Sequence, residues 1–443
     1  MHVLALTTVA APDANLALVL KVMPALVVLL ITSAVCGRLA LMVMQPRVLG
    51  EMVAGVLLGP TLFGWLFPEA QAALFPPEVR PVLYVLSTIG LTLYMFLVGA
   101  GIDHTARTQG EVRKAAVLAT LGIVPSLLLG FGAGLLVHSL LSRPDVSPFQ
   151  FALFVGGALS LTAFPMLARI LYERGLENTP IGRLTLLAAS IDDALAWCLL
   201  AVLSAMHLGT GTSSALLTIG LTAAFAVVML KVVAPMLRPL GRSVTRTGRL
   251  GPTGVYVVVI VPLTAGWLTD WIGVYAVFGG FFAGLAMPRD PKFREVLHGR
   301  MMEVVSTLLL PAFFTFSGLN TQLGGIAGGP MLLAFGLILL AGFCGKYFGC
   351  SLAMRGIGFG RREAYAVGAL MNARGLMILI FINIGLAQGM ITQELFSMLV
   401  LVAVLTTAGA LPLYKLALPE RLERGARAAP PVREAADVRS NSS

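Results

Sequence analysis

The chain has 443 residues, of which 57% are hydrophobic and only 12% are charged. A soluble domain carries about 25% charged residues, so this composition indicates a protein that crosses a membrane many times. The net charge of +10 comes from lysines and arginines in short segments between apolar runs, and this pattern argues against nucleic-acid binding.

The hydropathy pattern predicts thirteen spans, on the basis that about 20 residues cross a bilayer. They cover 17–44, 48–66, 81–101, 112–141, 149–173, 181–207, 213–237, 252–270, 273–287, 301–322, 330–354, 362–387 and 394–418. The predicted fold is therefore an all-α polytopic membrane protein with one membrane domain, 1–418. Residues 419–443 are rich in Arg, Ala, Pro and Ser and are predicted to form a disordered cytoplasmic tail.

Most of the 31 basic residues fall in the loops that follow odd-numbered spans or in the tail. Basic residues concentrate in cytoplasmic loops, so the N-terminus is predicted outside and the C-terminus in the cytoplasm. We expect an integral protein of a bacterial inner membrane.

Weak internal similarity relates the two halves of the chain. Segment 51–60 resembles 277–288, and segment 94–103 resembles 311–320. Spans 1–6 (17–207) thus correspond to spans 8–13 (252–418), with a linker helix at 213–237. Because seven spans separate equivalent helices, the halves have opposite orientations, which is the inverted-repeat plan of secondary transporters.

Two matching spans carry signals for a broken helix. Span five contains Thr162 and Pro165, and proline inside a helix removes a hydrogen bond. Span twelve contains Asn372 and Arg374 just before Gly375. Paired interruptions in an inverted repeat indicate the binding site. A simple kink at Pro165 and a purely structural role for Arg374 remain alternatives.

Asp192 and Asp193 lie in the middle of span six. An ionisable group at the bilayer centre costs about 2.5–3.5 kcal/mol on insertion scales, so a neighbouring pair indicates function. Because the pair belongs to the same half of the repeat as a broken helix, we predict that it receives a cation. Alternatively the pair is structural and is neutralised by Arg374, by protonation or by Lys346, a mid-span lysine that can pair with a carboxylate or with carbonyls.

Segments 188–197, 161–170 and 371–379 resemble the Asp-Asp helix and the two crossed, unwound helices of monovalent cation:proton antiporters. The branch is that of Kef- and Nap-type exchangers and plant cation/H+ exchangers. The resemblance covers roughly 17–418 and implies the NhaA/NapA-like fold. It also implies a homodimer with a mobile core domain (about 81–207 and 301–418) and a dimerisation domain formed by the remaining helices.

The resemblance implies that Asp193 binds a cation or a proton and that Asp192 assists. On this basis we predict that both bind Na+ or K+, with Thr162 and Ser190 as co-ligands. In electrogenic members, the residue matching Asp192 pairs with a lysine that we place on span ten. Residues 311–322 contain no lysine, so the partner of Asp192 stays open. Arg374 resembles a basic residue kept by electroneutral relatives, whereas an Asp-Asp pair is linked with two protons per cation.

The predicted function is exchange of a monovalent cation for H+, without a cofactor, enzymatic activity or nucleic-acid partner. Three other classes of protein are alternatives. A membrane aspartyl protease needs carboxylates facing each other from different helices, and a K+ efflux channel needs a filter-like loop. A cation-coupled solute symporter of the same broad fold would not need the acidic pair.

Overall fold

A computed structural model describes residues 13–101, 109–173, 175–176, 179–207, 212–326 and 328–418. These ranges are helical and contain no β-strand. The first helices are α1 (Ala14–Met42), α2 (Arg47–Leu58), α3 (Phe63–Leu66), α4 (Pro68–Leu74), α5 (Val79–Gly101), α6 (Gln109–Leu141), α7 (Pro148–Ser160), α8 (Phe164–Glu173) and α9 (Pro180–His207). They are followed by α10 (Thr212–Val228), α11 (Ala234–Thr247), α12 (Pro252–Ile272), α13 (Ala276–Leu285), α14 (Pro291–Val304), α15 (Leu310–Leu319), α16 (Gly329–Ile357), α17 (Arg361–Leu370), α18 (Gly375–Ala387) and α19 (Gln393–Ala417).

Each predicted span coincides with one helix or with adjoining helices. Within the described ranges, nine helical segments are long and apolar enough to cross a membrane, and the bent pair α17–α18 makes a tenth. Helices α7 and α13 are shorter apolar helices. Turns of π-helix at Met229–Val233 and Val305–Leu309 join α10 to α11 and α14 to α15 without a break. The all-helical membrane fold is confirmed, while the predicted tail lies outside the described residues.

Both predicted interruptions are real breaks. Residues 161–163 separate α7 from α8, and Pro165 is the second residue of α8, where a missing N–H costs little. The alternative of a simple kink at Pro165 is therefore excluded. On the partner span, α17 and α18 meet at an angle of 41°. Gly375 has a φ of +45°, a value that side chains other than glycine rarely adopt.

The helices pack in two groups joined by α10 and α11. The first group contains α1, α2, α5 and α12–α15, and the second contains α6–α9 and α16–α19. Close backbone approach holds the first group together: a Cβ on Gly318 of α15 would lie 1.9 Å from the carbonyl oxygen of Gly55 on α2. This division differs from the predicted core of 81–207 and 301–418, because α5, α14 and α15 pack with the first group.

Candidate functional site

The two broken helices cross at their unwound segments. The Ala163 N–H donates to the carbonyl oxygen of Ala373 at 3.0 Å. The Thr162 hydroxyl lies 3.2 Å from the carbonyl oxygen of Met371 and 2.8 Å from Oδ2 of Asp192. Thr162 therefore links both unwound segments to the acidic pair on α9.

Asp192 and Asp193 are 2% and 1% exposed, but their surroundings differ. Oδ2 of Asp192 accepts hydrogen bonds from Thr162 and, at 2.6 Å, from Nζ of Lys346. The backbone N–H of Phe164, at the start of α8, interacts with the Asp193 carboxylate. Even so, neither oxygen of Asp193 has a well-formed hydrogen bond among the described residues. Asp192 is thus held in place, whereas Asp193 has unused acceptor capacity.

Lys346 is the partner of Asp192 that the sequence left open. The expected lysine on span ten does not exist, and α16 in span eleven supplies it instead. The glycines beside Lys346 explain its burial. A Cβ on Gly345 would lie 2.5 Å from Cα of Ser126, and one on Gly349 would lie 2.1 Å from the carbonyl oxygen of Leu121. Small residues therefore bring α16 against α6 and bury the ammonium completely.

The C-terminus of α7 ends inside the protein, where its last four carbonyls have no partner within the helix. Side chains supply the missing donors. The Ser160 hydroxyl donates to the carbonyl oxygen of Gly157 at 2.8 Å, and Nζ of Lys346 donates to that of Ser160 at 2.6 Å. Lys346 thus joins the negative end of the α7 dipole to the Asp192 carboxylate.

Arg374 and Ser126 serve the other two carbonyls of this helix end. Nη1 of Arg374 donates to the carbonyl oxygens of Ala158 and Leu159, and the Ser126 hydroxyl donates to that of Leu159 at 2.7 Å. Nη2 of Arg374 donates to the Gly342 carbonyl oxygen at 2.5 Å. Arg374 forms no ion pair with a described carboxylate. Its guanidinium lies at the negative end of the α7 dipole, and the contribution of Ser126 was not predicted from the sequence.

The other predicted site residues are Ser190, Asn372 and Pro165. Ser190 is half-buried, and its hydroxyl donates to the carbonyl oxygen of Leu187 on its own helix; among the described residues it forms no hydrogen bond with the acidic pair. Asn372 is fully buried in the unwound segment and donates through Nδ2 to Gly368 at 3.1 Å, while its Oδ1 has no hydrogen-bond donor among the described residues. Pro165 contributes to the site only through the backbone, because it lies in the first turn of α8, directly after the unwound segment 161–163.

The charges at the site have an uneven distribution. Asp192, Asp193, Lys346 and Arg374 are each at most 2% exposed, and their formal charges sum to zero when all are ionised. Lys346 pairs with Asp192, and Arg374 faces carbonyls. Asp193 therefore lacks a cationic partner of its own within the described structure. A buried carboxylate in this situation can take one positive charge, either as a proton or as a small cation.

The same part of the chain matches a known family. The sequence profile of the sodium/hydrogen exchanger transmembrane region matches residues 26–413. The chain belongs to this family. It is 37% identical over 396 residues to the Na+/H+ antiporter NhaS4 of Synechocystis, and the match covers 89% of this chain and 96% of that one.

More distant relatives include eukaryotic proteins. Cation/H+ antiporter 19 of Arabidopsis thaliana is 36% identical over 84% of this chain, and K+/H+ antiporter 1 of Saccharomyces cerevisiae is 31% identical over 87%. The chain spans only about half of each relative, namely 46% and 45%.

The fold is shared with a solved antiporter structure. The sodium proton antiporter MjNhaP1 of Methanocaldococcus jannaschii aligns with 93% of this chain and all of its own chain, at a TM-score of 0.67. Sequence identity is 12%, so this likeness supports the fold alone.

Proposed function

We propose that this protein exchanges a monovalent cation for protons across a membrane and that Asp193 carries both. The observation that supports this proposal best is the buried Asp193 carboxylate, whose two oxygens have no well-formed hydrogen bond among the described residues. Asp192, one residue earlier, is already held by Lys346 and Thr162. The named relatives exchange Na+, K+ or an unspecified cation for H+.

Competition for one carboxylate couples the two fluxes. An empty, ionised Asp193 is costly to carry across a low-dielectric barrier, whereas the same group is neutralised by a proton or by a cation. The site therefore changes sides only when it is loaded. Asp192 and Thr162 lie beside this position, and Asp192 has a second oxygen, Oδ1, without a hydrogen-bond donor among the described residues. These oxygens are the hard ligands that Na+ and K+ take.

Lys346 makes an electrogenic cycle the favoured form of this exchange. Its ammonium has two acceptors, Ser160 O and Asp192 Oδ2, both at 2.6 Å. When a cation occupies the acidic pair, Lys346 keeps its hydrogen bond to the Ser160 carbonyl oxygen and can release a proton. Two protons would then move for each cation, one from Asp193 and one from Lys346.

Alternating access would come from movement of the second helix group, which holds the site, against the first. The first group would then form the interface of a homodimer. The loop charges favour a cytoplasmic C-terminus in a bacterial inner membrane. This orientation can be tested with single cysteines introduced at Asp145, between α6 and α7, and at Arg361, on α17. Labelling of intact cells by a membrane-impermeant thiol reagent shows which of the two positions faces outside.

The central test is transport by the purified protein in liposomes that hold a pH-sensitive dye and an acidic interior. Adding Na+ or K+ outside should collapse the gradient for the wild type. Asp193→Asn should abolish this response, whereas the same change at the exposed residue Asp145 should not. If Asp193→Asn retained cation-dependent proton flux, the proposal would be wrong.

Repeating the measurement with the potential clamped by valinomycin and K+, with Na+ as the exchanged cation, separates electrogenic from electroneutral exchange. The proposed cycle predicts a rate that depends on the imposed potential. Equal rates at zero and at imposed potential would leave the antiport intact but refute the role of Lys346 as a proton carrier.

A further inference from the structure

A strongly basic surface lies where α11 meets α14, away from the acidic pair. We define it as the linker patch. Its six members come from α11, from the segment that follows it, from the turn before α14 and from the first turn of α14: Arg238, Arg242, Arg246, Arg249, Arg289 and Lys292. All six side chains are exposed. The segments that carry them, 234–250 and 287–292, contain one acidic residue, Asp290.

Packing of α11 fixes the direction of this surface. Leu237, Gly241 and Val244 form its buried face, and a Cβ on Gly241 would lie 2.6 Å from Cβ of Pro288. The three arginines of α11 recur every four residues, so they share the opposite, exposed side. Nζ of Lys292 lies 3.8 Å from the position of a Cβ on Gly248, which brings the start of α14 beside the end of α11.

Within the described part of the chain, the linker patch is poor in partners of opposite charge. None of its six residues forms an ion pair with a described carboxylate. Asp290 is already engaged, because it accepts hydrogen bonds from Thr245 Oγ1 at 2.8 Å and from the Lys292 N–H at 2.9 Å. By contrast, Arg47 pairs with Glu51 at 2.9 Å and Arg183 with Glu111 at 3.8 Å. The linker patch is therefore open to an external anion.

The position of the patch identifies the anion. Immediately before the arginines, the continuous helix formed by the π-helical turn and α11 exposes three apolar side chains. They are Leu230, Val232 and Met236, which are 41%, 52% and 72% exposed. Such side chains belong in the acyl-chain region of a bilayer, and the arginines that follow then lie at the headgroup level. Clusters of four to eight basic residues at this level attract anionic lipids, and guanidinium groups bind phosphate with paired hydrogen bonds.

We propose that the linker patch binds the headgroups of anionic phospholipids. This site is separate from the transport site and does not depend on the proposed exchange. Bound lipid would tie α11 to the membrane surface, at the connection between the two helix groups.

Native mass spectrometry of the full chain in detergent tests this directly. Phosphatidylglycerol and phosphatidylcholine are offered in equal amounts to the wild type and to the triple variant Arg242→Gln/Arg246→Gln/Arg249→Gln. We expect the wild type to retain phosphatidylglycerol preferentially. A basic residue near an anionic surface contributes about fivefold in affinity, so the triple change should weaken phosphatidylglycerol binding at least about tenfold. Binding of phosphatidylcholine and the lipid-free melting temperature should stay unchanged and thereby report an intact fold.

The matched control is Arg361→Gln/Arg362→Gln, at two exposed arginines beside Glu363 at the start of α17. It should keep the preference for phosphatidylglycerol. The proposal is overturned if the triple variant keeps the preference or if the control loses as much binding. It is also overturned if glycerol 3-phosphate at equal concentration displaces the lipid, since the patch would then be a site for small soluble anions.

Discussion

Replacing Lys346 by methionine should destabilise the protein strongly, because it leaves Asp192 buried without its cation. The two side chains are 0% and 1% exposed and their charged atoms are 2.6 Å apart. Removing one partner of a buried ion pair costs about 3–5 kcal/mol. For a protein of this size, a loss of about 3–5 kcal/mol corresponds to a fall in melting temperature of roughly 3–5 °C.

The double variant Lys346→Met/Asp192→Asn separates the ion pair from simple packing. It removes both charges together, so most of the lost stability should return. The remaining deficit should be about 1 kcal/mol, since the Ser160 carbonyl still lacks its donor. Thermal unfolding of the wild type, both single variants and the double variant in the same detergent forms a double-mutant cycle. A double variant that melts as low as Lys346→Met would refute the argument that the pair stabilises the site.

Three further results are expected. If a proton and a cation compete for Asp193, the cation concentration for half-maximal exchange should fall as the pH rises. The fall should be up to about tenfold per pH unit over the acidic limb of the activity profile. A half-maximal concentration that does not change with pH would contradict competition. Ser126→Ala should cost about 1 kcal/mol of stability and slow transport, whereas Ser126→Thr, which keeps the hydroxyl, should restore both readouts; equal loss in the two variants would point to packing instead. The hydrogen bond from the Thr245 hydroxyl lowers the pKa of Asp290. The contribution of Asp290 to stability is therefore complete above the ordinary pKa of an aspartate and is lost as the pH falls through the lowered pKa of the folded state. Asp290→Asn should flatten this acid dependence of the melting temperature.

Local features of the sequence were enough to predict several parts of the site. Pro165 restricts the backbone and Gly375 permits conformations that other residues avoid, whatever surrounds them, so both helix breaks could be placed without a structure. Asp192 and Asp193 stood out because charge in an apolar span is costly. The role of Ser190 as a ligand stays a prediction, because its hydroxyl donates to the backbone of its own helix and its oxygen can still accept.

The sequence offered alternatives for contacts between distant residues, such as Lys346 or Arg374 beside the acidic pair, but could not decide between them. The ion pair of Lys346 with Asp192 joins residues 154 positions apart, and Arg374 reaches carbonyls more than 200 positions earlier. Ser126 looked like an ordinary small residue of an apolar helix until its hydroxyl was found on the end of α7.

By itself, the sequence determined that the chain crosses a membrane, where its helices begin and break, and which helix carries the acidic pair, because these properties depend on hydropathy and backbone restrictions over a few residues. Tertiary structure decided which helices form each group, which lysine neutralises Asp192 and which side chains complete the end of α7. The physical reason lies in the solvent. Lipid is as apolar as a packed helix interface, so the apolar pattern of a span does not reveal which face is buried. Close approaches at glycines such as Gly345 and Gly349 set that face, and they depend on the partner helix.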